Sequence, residues 1–216
     1  MNPTGEPHMT KSNFLSLLFI SALGFSPKAN AYFSTLDTGD TIGAGKYDVS
    51  VEPQFLLDRY DGANLNGRFD AGINEESTLR TIIGFGEVNF QAGAMYKYIP
   101  FPDTPNQPAI GIEAGAIYAH VQNSSELDLR IHPLVSKKVQ LEDVKLNVYG
   151  SIPFGATFRD GTTYYPIQLA GGTEWKIPQH EQFSLMAELG ININAAFGYV
   201  SFAGVYYFDD SNIHRQ

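Results

Sequence analysis

His120, Ser124, Ser125 and Glu126 lie close together in the chain, and a hydroxyl, an imidazole and a carboxylate are the parts of nucleophilic acyl transfer. That chemistry needs the three groups to converge in space, and four polar residues at the end of a strand read first as a loop. His120, His132, His180 and His214 lack the spacing of metal ligands. The stretch 61–67, Asp-Gly-Ala-Asn-Leu-Asn-Gly, departs from the ligand pattern of a calcium loop and reads as a hairpin turn. With no cysteine, thiolate catalysis and cysteine-ligated zinc are excluded. No catalytic, metal or cofactor-binding residue is therefore assigned. Charge collects instead at alternate positions: Asp48, Glu52, Arg68, Asp70, Arg80, Lys97, Glu113, Asp128, Arg130, His132, Lys145, Glu174 and Glu188. Regularly placed acids and bases on one face of many strands are the material of an ion-pair network.

The elements that position these charges begin after a leader. Lys11 precedes the apolar run 14–25, and Ala29-Asn-Ala31 is the small-x-small pattern that a signal peptidase reads. The expected division is a signal peptide over 1–31 and one domain over 32–216. The run is shorter than the roughly 20 apolar residues of a transmembrane helix. Removing the leader leaves 12 basic and 22 acidic residues, and an acidic surface argues against nucleic acid as a partner.

The rest of the chain alternates with period two. In the stretch 126–135, Leu127, Leu129, Ile131 and Pro133 share one face, while Asp128, Arg130 and His132 share the other. Candidate strands, bounded by Gly, Pro, Asn, Asp or Ser, are predicted at 46–57, 65–73, 78–85, 88–98, 109–121, 126–135, 144–154, 164–175, 182–192 and 198–208. This is an all-β pattern, a closed antiparallel up-and-down barrel of about ten strands, with eight or twelve also compatible.

A soluble sandwich and a membrane barrel both alternate, so the direction of the greasy face decides between them. The apolar sets include Val49, Val51 and Phe55; Val88, Phe90, Ala92, Ala94, Tyr96 and Tyr98; and Phe183, Leu185, Ala187, Leu189 and Ile191. Aromatics gather near strand ends and aliphatics in the middles, as in a girdle at the lipid headgroups. The charged faces also carry Gly72, Gly93, Gly111, Gly115, Gly172 and Gly190, which would give large neighbours room in a crowded lumen. Greasy residues are therefore expected outside and charges inside. Pro53, Pro133, Pro153 and Pro166 fall within strands, where each removes a ladder donor.

This pattern resembles the small outer-membrane β-barrels of Gram-negative bacteria, in the broad sense of the OmpA-type transmembrane domain. The most specific part is the stretch 200–208, where Val200, Phe202, Tyr206 and Phe208 look like the terminal signal that barrel-assembly machinery recognises. The resemblance implies residence in the cell outer membrane, contact with its lipid, a monomer and no cofactor. Ten strands would leave a lumen filled by side chains or a thin water path, because about eight strands already close the interior and 16 or more open it. The function expected is a structural or narrow-pore role, not an enzyme. The alternatives are a soluble periplasmic barrel that binds an apolar ligand and an outer-membrane lipid-modifying enzyme built around Ser124 and Ser125.

Overall fold

The computed structural model describes residues 34–57, 62–121, 123–141 and 144–209. The leader expected at 1–31 and the tip of the first hairpin lie outside them.

Alternation dictates strands, and twelve form: β1 Lys46–Leu56, β2 Ala63–Asn74, β3 Ser77–Gly86, β4 Phe90–Phe101, β5 Ala109–Val121, β6 Ser124–Leu141, β7 Val144–Ser151, β8 Phe154–Arg159, β9 Thr162–Tyr164, β10 Ile167–Lys176, β11 Phe183–Asn194 and β12 Tyr199–Asp209. Each pairs antiparallel with its neighbours, and β1 with β12 closes the wall. Ten strands make the ring, and β8 and β9 are short additions to it. They arise at prolines. The expected strand 144–154 divides at Ile152 and Pro153 into β7 and β8, and 164–175 divides at Tyr165 and Pro166 into β9 and β10.

The broken ladders are stitched across the gap by Gly155 N–H donating to Pro166 O (3.2 Å) and Gln168 N–H to Pro153 O (2.9 Å). Strand β6 continues to Leu141, beyond the expected 126–135. Its first half pairs with β8 and its second half with β7. Pro133 sits at that exchange of partners, so the donor it lacks falls where the ladder passes from one strand to the next. Pro53 likewise coincides with a gap in the β1–β12 ladder, between the pairs Val51–Gly204 and Gln54–Ser201.

Polarity is inverted relative to a soluble protein. Val49, Val51, Leu65, Ile83, Leu129, Val148, Leu169, Leu189 and Phe202 are exposed, while Glu52, Gln54, Asp128, Gln168, Glu174 and Ser201 are almost wholly buried. Large apolar side chains cover the outside of the wall and polar ones fill the lumen. Val88 is the exception to the expected outer set, with no exposure at all. Strand β4 starts only at Phe90, and Val88 turns into the lumen with its N–H donating to Asn64 Oδ1 (3.0 Å). Gly86 just before it, at φ +139°, takes a backbone form open to glycine and redirects the chain inward.

The glycines expected to give room do so. A Cβ on Gly190 would collide with the Tyr199 ring, one on Gly172 with Tyr149, and one on Gly115 with Met95. Each lets a large lumen side chain lie flat against the wall.

Candidate functional site: a plugged and capped lumen

The lumen is the place where chemistry-bearing side chains meet. We call the mouth where β1 begins and β12 ends the near end, and the opposite mouth the far end. Of the residues expected to form the charge network, Asp48, Glu52, Arg68, Asp70, Arg80, Lys97, Glu113, Asp128, Arg130, His132, Glu174 and Glu188 are buried inside. Lys145 is not. It lies on the inward parity of β7, but next to the β6–β7 turn, where the hairpin overshoots the barrel and its side chain is exposed.

The structure places in the lumen an element that alternation could not announce. Residues 34–45, before β1, run into the barrel from the near end, and Ser34, Thr35, Leu36, Asp37 and Thr38 are buried there. The wall grips this plug largely through its backbone. Glu188 accepts the N–H groups of Thr35 (2.8 Å) and Leu36 (2.6 Å), and Ser136 Oγ accepts that of Gly39 (2.8 Å). Arg68 donates to Thr35 O (2.7 Å) and Ser34 Oγ (2.6 Å), and Arg80 donates to Thr35 O (3.1 Å). Ser34 also donates to Glu52. Leu36 packs in an apolar cluster with Ile99, Ala109, Leu134, Tyr149 and Met186.

Inside the lumen, Asp37 of the plug completes the ion pairs of the wall, while Asp40 pairs at the mouth with Lys138 (2.8 Å) and Lys176 (3.7 Å). Asp37 lies 2.7 Å from Lys97 Nζ and 3.4 Å from Arg80. Arg80 clamps Asp70 at 2.6 Å and lies 3.4 Å from Glu113, whose other oxygen is 3.2 Å from His132 Nδ1. Deeper in, Arg68 pairs with Glu52 at 2.6 Å, and Tyr199 donates to Glu188 (2.6 Å). Burying a charge is costly unless it is paired and hydrogen-bonded, and the plug supplies much of that pairing.

The far end closes by different means. Leu56, Ile82, Val88, Met95, Ile117, Ala119, Val121, Phe197 and Tyr199 form a buried apolar cluster within the mouth. Phe197 is carried by the β11–β12 connection, which turns inward at Ala195, a residue with φ +45°. Sequence reasoning missed both Val88 and Phe197 because they belong to turns, where period two says nothing of direction.

The Ser-His-acid candidates do not converge. His120 Nδ1 lies 3.3 Å from Ser125 Oγ and Tyr118 OH is 2.8 Å from the same hydroxyl, all on the exposed face. Glu126 points into the lumen instead, on the opposite side of β6, with Arg159 4.0 Å away.

A closed antiparallel wall, greasy outside and charged inside, defines a transmembrane β-barrel. No known family model matches the chain, and neither does any curated protein. Solved structures of similar fold include an outer membrane channel from Pseudomonas putida F1 (9% identity, TM-score 0.49, covering 78% of this chain and 97% of that one). The beta domain of the Bordetella autotransporter BrkA is also similar (10% identity, TM-score 0.44, 76% and 98%), as is a de novo designed transmembrane β-barrel (15% identity, TM-score 0.39, 76% and 97%). These are likenesses of fold alone.

Proposed function

We propose that this chain is an integral outer-membrane protein whose role is structural, a barrel shut at both ends. The observation that carries the reading is the double closure: the plug 34–45 fills the near half of the lumen and the Val88–Phe197 cluster seals the far mouth. A barrel of this width with such filling offers no continuous water path. On this reading the leader directs export, the even ring number sets both barrel ends of the chain on the periplasmic side, and the near end is the inner mouth. Aromatics at strand ends, such as the stacked Tyr47 and Phe208, sit at the headgroup level. Val200, Phe202, Tyr206 and Phe208 serve as the assembly signal, and the protein works as a monomer and not as an enzyme. The narrow-pore reading survives in a restricted form: a conduit exists only when both closures are released.

The membrane assignment is tested by heat-modifiable migration in detergent gels. The folded barrel should migrate apart from the boiled chain; a protein that folds and stays monomeric without detergent would overturn the assignment. Leu129→Arg, on the lipid face, should cost about 2 to 4 kcal/mol of folded stability in bilayers, whereas Leu129→Val should cost far less. Closure is tested in planar bilayers, where the intact protein should show no conductance steps.

A further inference from the structure

Between the plug and the wall, the near end holds a cavity of about 440 Å³ that opens at the mouth. Its walls include Asp37, Asp48, Asp70, Glu174, Arg80 and Lys97. The two buried cations are already committed. Arg80 is shared among Asp37, Asp70 and Glu113, and Lys97 holds Asp37 at 2.7 Å and the carbonyl of Asp40 at 2.8 Å. Asp48 and Glu174 are left over. Asp48 is 7% exposed and its side chain, among the described residues, has neither a hydrogen bond nor an ion pair, although it lies directly across from Asp70 on β2. Glu174 is 1% exposed, accepts the Tyr207 hydroxyl (2.7 Å) and has no cation partner among the described residues. Two deeply buried carboxyl groups thus face one cavity with no cation within ion-pair distance among the described residues.

We propose that this cavity is a binding site for a small organic ammonium ion, with Asp48 and Glu174 accepting from its N–H donors. The shape of the site selects this class. Among the described residues no three His, Cys, Asp or Glu side chains are grouped to hold a metal ion, and the space is many times that of one water or bare ion. The wall also carries the Tyr207 ring, which at its outer side already meets a cation, Lys176 Nζ, 5.9 Å from its centroid. Lys46 and Lys176 stand at the mouth, where Asp40, Glu181 and Asp209 offset their charge. Carboxyl groups therefore outnumber cations in the buried interior, and the linear stem of an alkylammonium can reach it from the opening.

Isothermal titration of the detergent-folded full chain with 1,5-diaminopentane tests the site. Saturable binding is expected, weakened about tenfold or more in Asp48→Asn/Glu174→Gln, and unmatched by magnesium chloride at equal ionic strength. Absence of saturation, unchanged binding in the double variant, or equal binding of magnesium would each overturn the proposal. If the double variant does not fold, Tyr207→Trp sets a fluorophore on the cavity wall. Its emission must then respond to the diamine with saturation, and a flat response overturns the site. Neither readout depends on conductance, so failure here leaves the structural reading standing.

Discussion

The two mouths of the lumen are closed by opposite physics. At the far end, residues of short turns fold inward and exclude water with Val88, Phe197 and their apolar neighbours. At the near end a separate stretch of chain is held by ion pairs and by hydrogen bonds to its backbone. The first closure is part of the wall's own hairpins, so it moves only if the wall moves. The second is a tenant, joined to the wall at the start of β1 and otherwise held by contacts that charged groups elsewhere could replace. The two ends of the barrel are hence filled asymmetrically, one by its own wall and the other by a stretch of chain that enters it.

That contrast can be broken by removing the closures one at a time. Deleting residues 34–45 should leave planar bilayers silent, because the far cap persists. Combining the deletion with Val88→Gly and Phe197→Ala should produce ion steps, and steps from the deletion alone would show that the cap does not seal. In stability, Arg80→Leu should have the largest single effect, about 3 to 5 kcal/mol by denaturant titration in detergent, since it strands Asp70 and takes one partner each from Asp37 and Glu113, which keep Lys97 and His132. Phe197→Ala should cost about 3 kcal/mol and leave the near-end pairs intact, so a double variant with Arg80→Leu should be additive.

The smallest effect is at the near rim, outside the wall. Burial pushes the Asp103 carboxyl up, but hydrogen bonds from Lys137 Nζ (2.8 Å) and the Lys138 N–H (3.1 Å), with the charges of both lysines, hold it below the usual carboxylate range. A depressed acid stabilises the fold above its unfolded value and loses that contribution as pH falls through its folded one. Asp103→Asn should therefore cost at most about 1 kcal/mol at neutral pH, and the difference should fade on acidification below the ordinary carboxylate range.

Much of the wall was legible because period two ties identity to direction. Leu127, Leu129 and Ile131 face out, while Asp128, Arg130 and His132 face in, as their alternation required. The same rule misled at Val88, which continues the parity of Phe90 in sequence but precedes the strand in space. It misled at Lys145, whose parity is inward but whose position lies past the rim. The plug was illegible for a different reason. Residues 34–45 are mostly small and polar and read as an ordinary connection, and their partners are wall side chains far away in sequence. One trace existed: Gly72, facing in, is needed because the backbone of Gly43 lies where its Cβ would be. A lone glycine in a strand does not name what approaches it.

Pro133, Pro153 and Pro166 lie side by side across three neighbouring paths of the wall, where β6 changes partners and β7 and β10 give way to β8 and β9. In mechanical terms the tube is scored across one side. Along this crease, as over a shorter stretch at Pro53 in the β1–β12 ladder, hydrogen bonds are sparser, so bending of the wall concentrates its strain there.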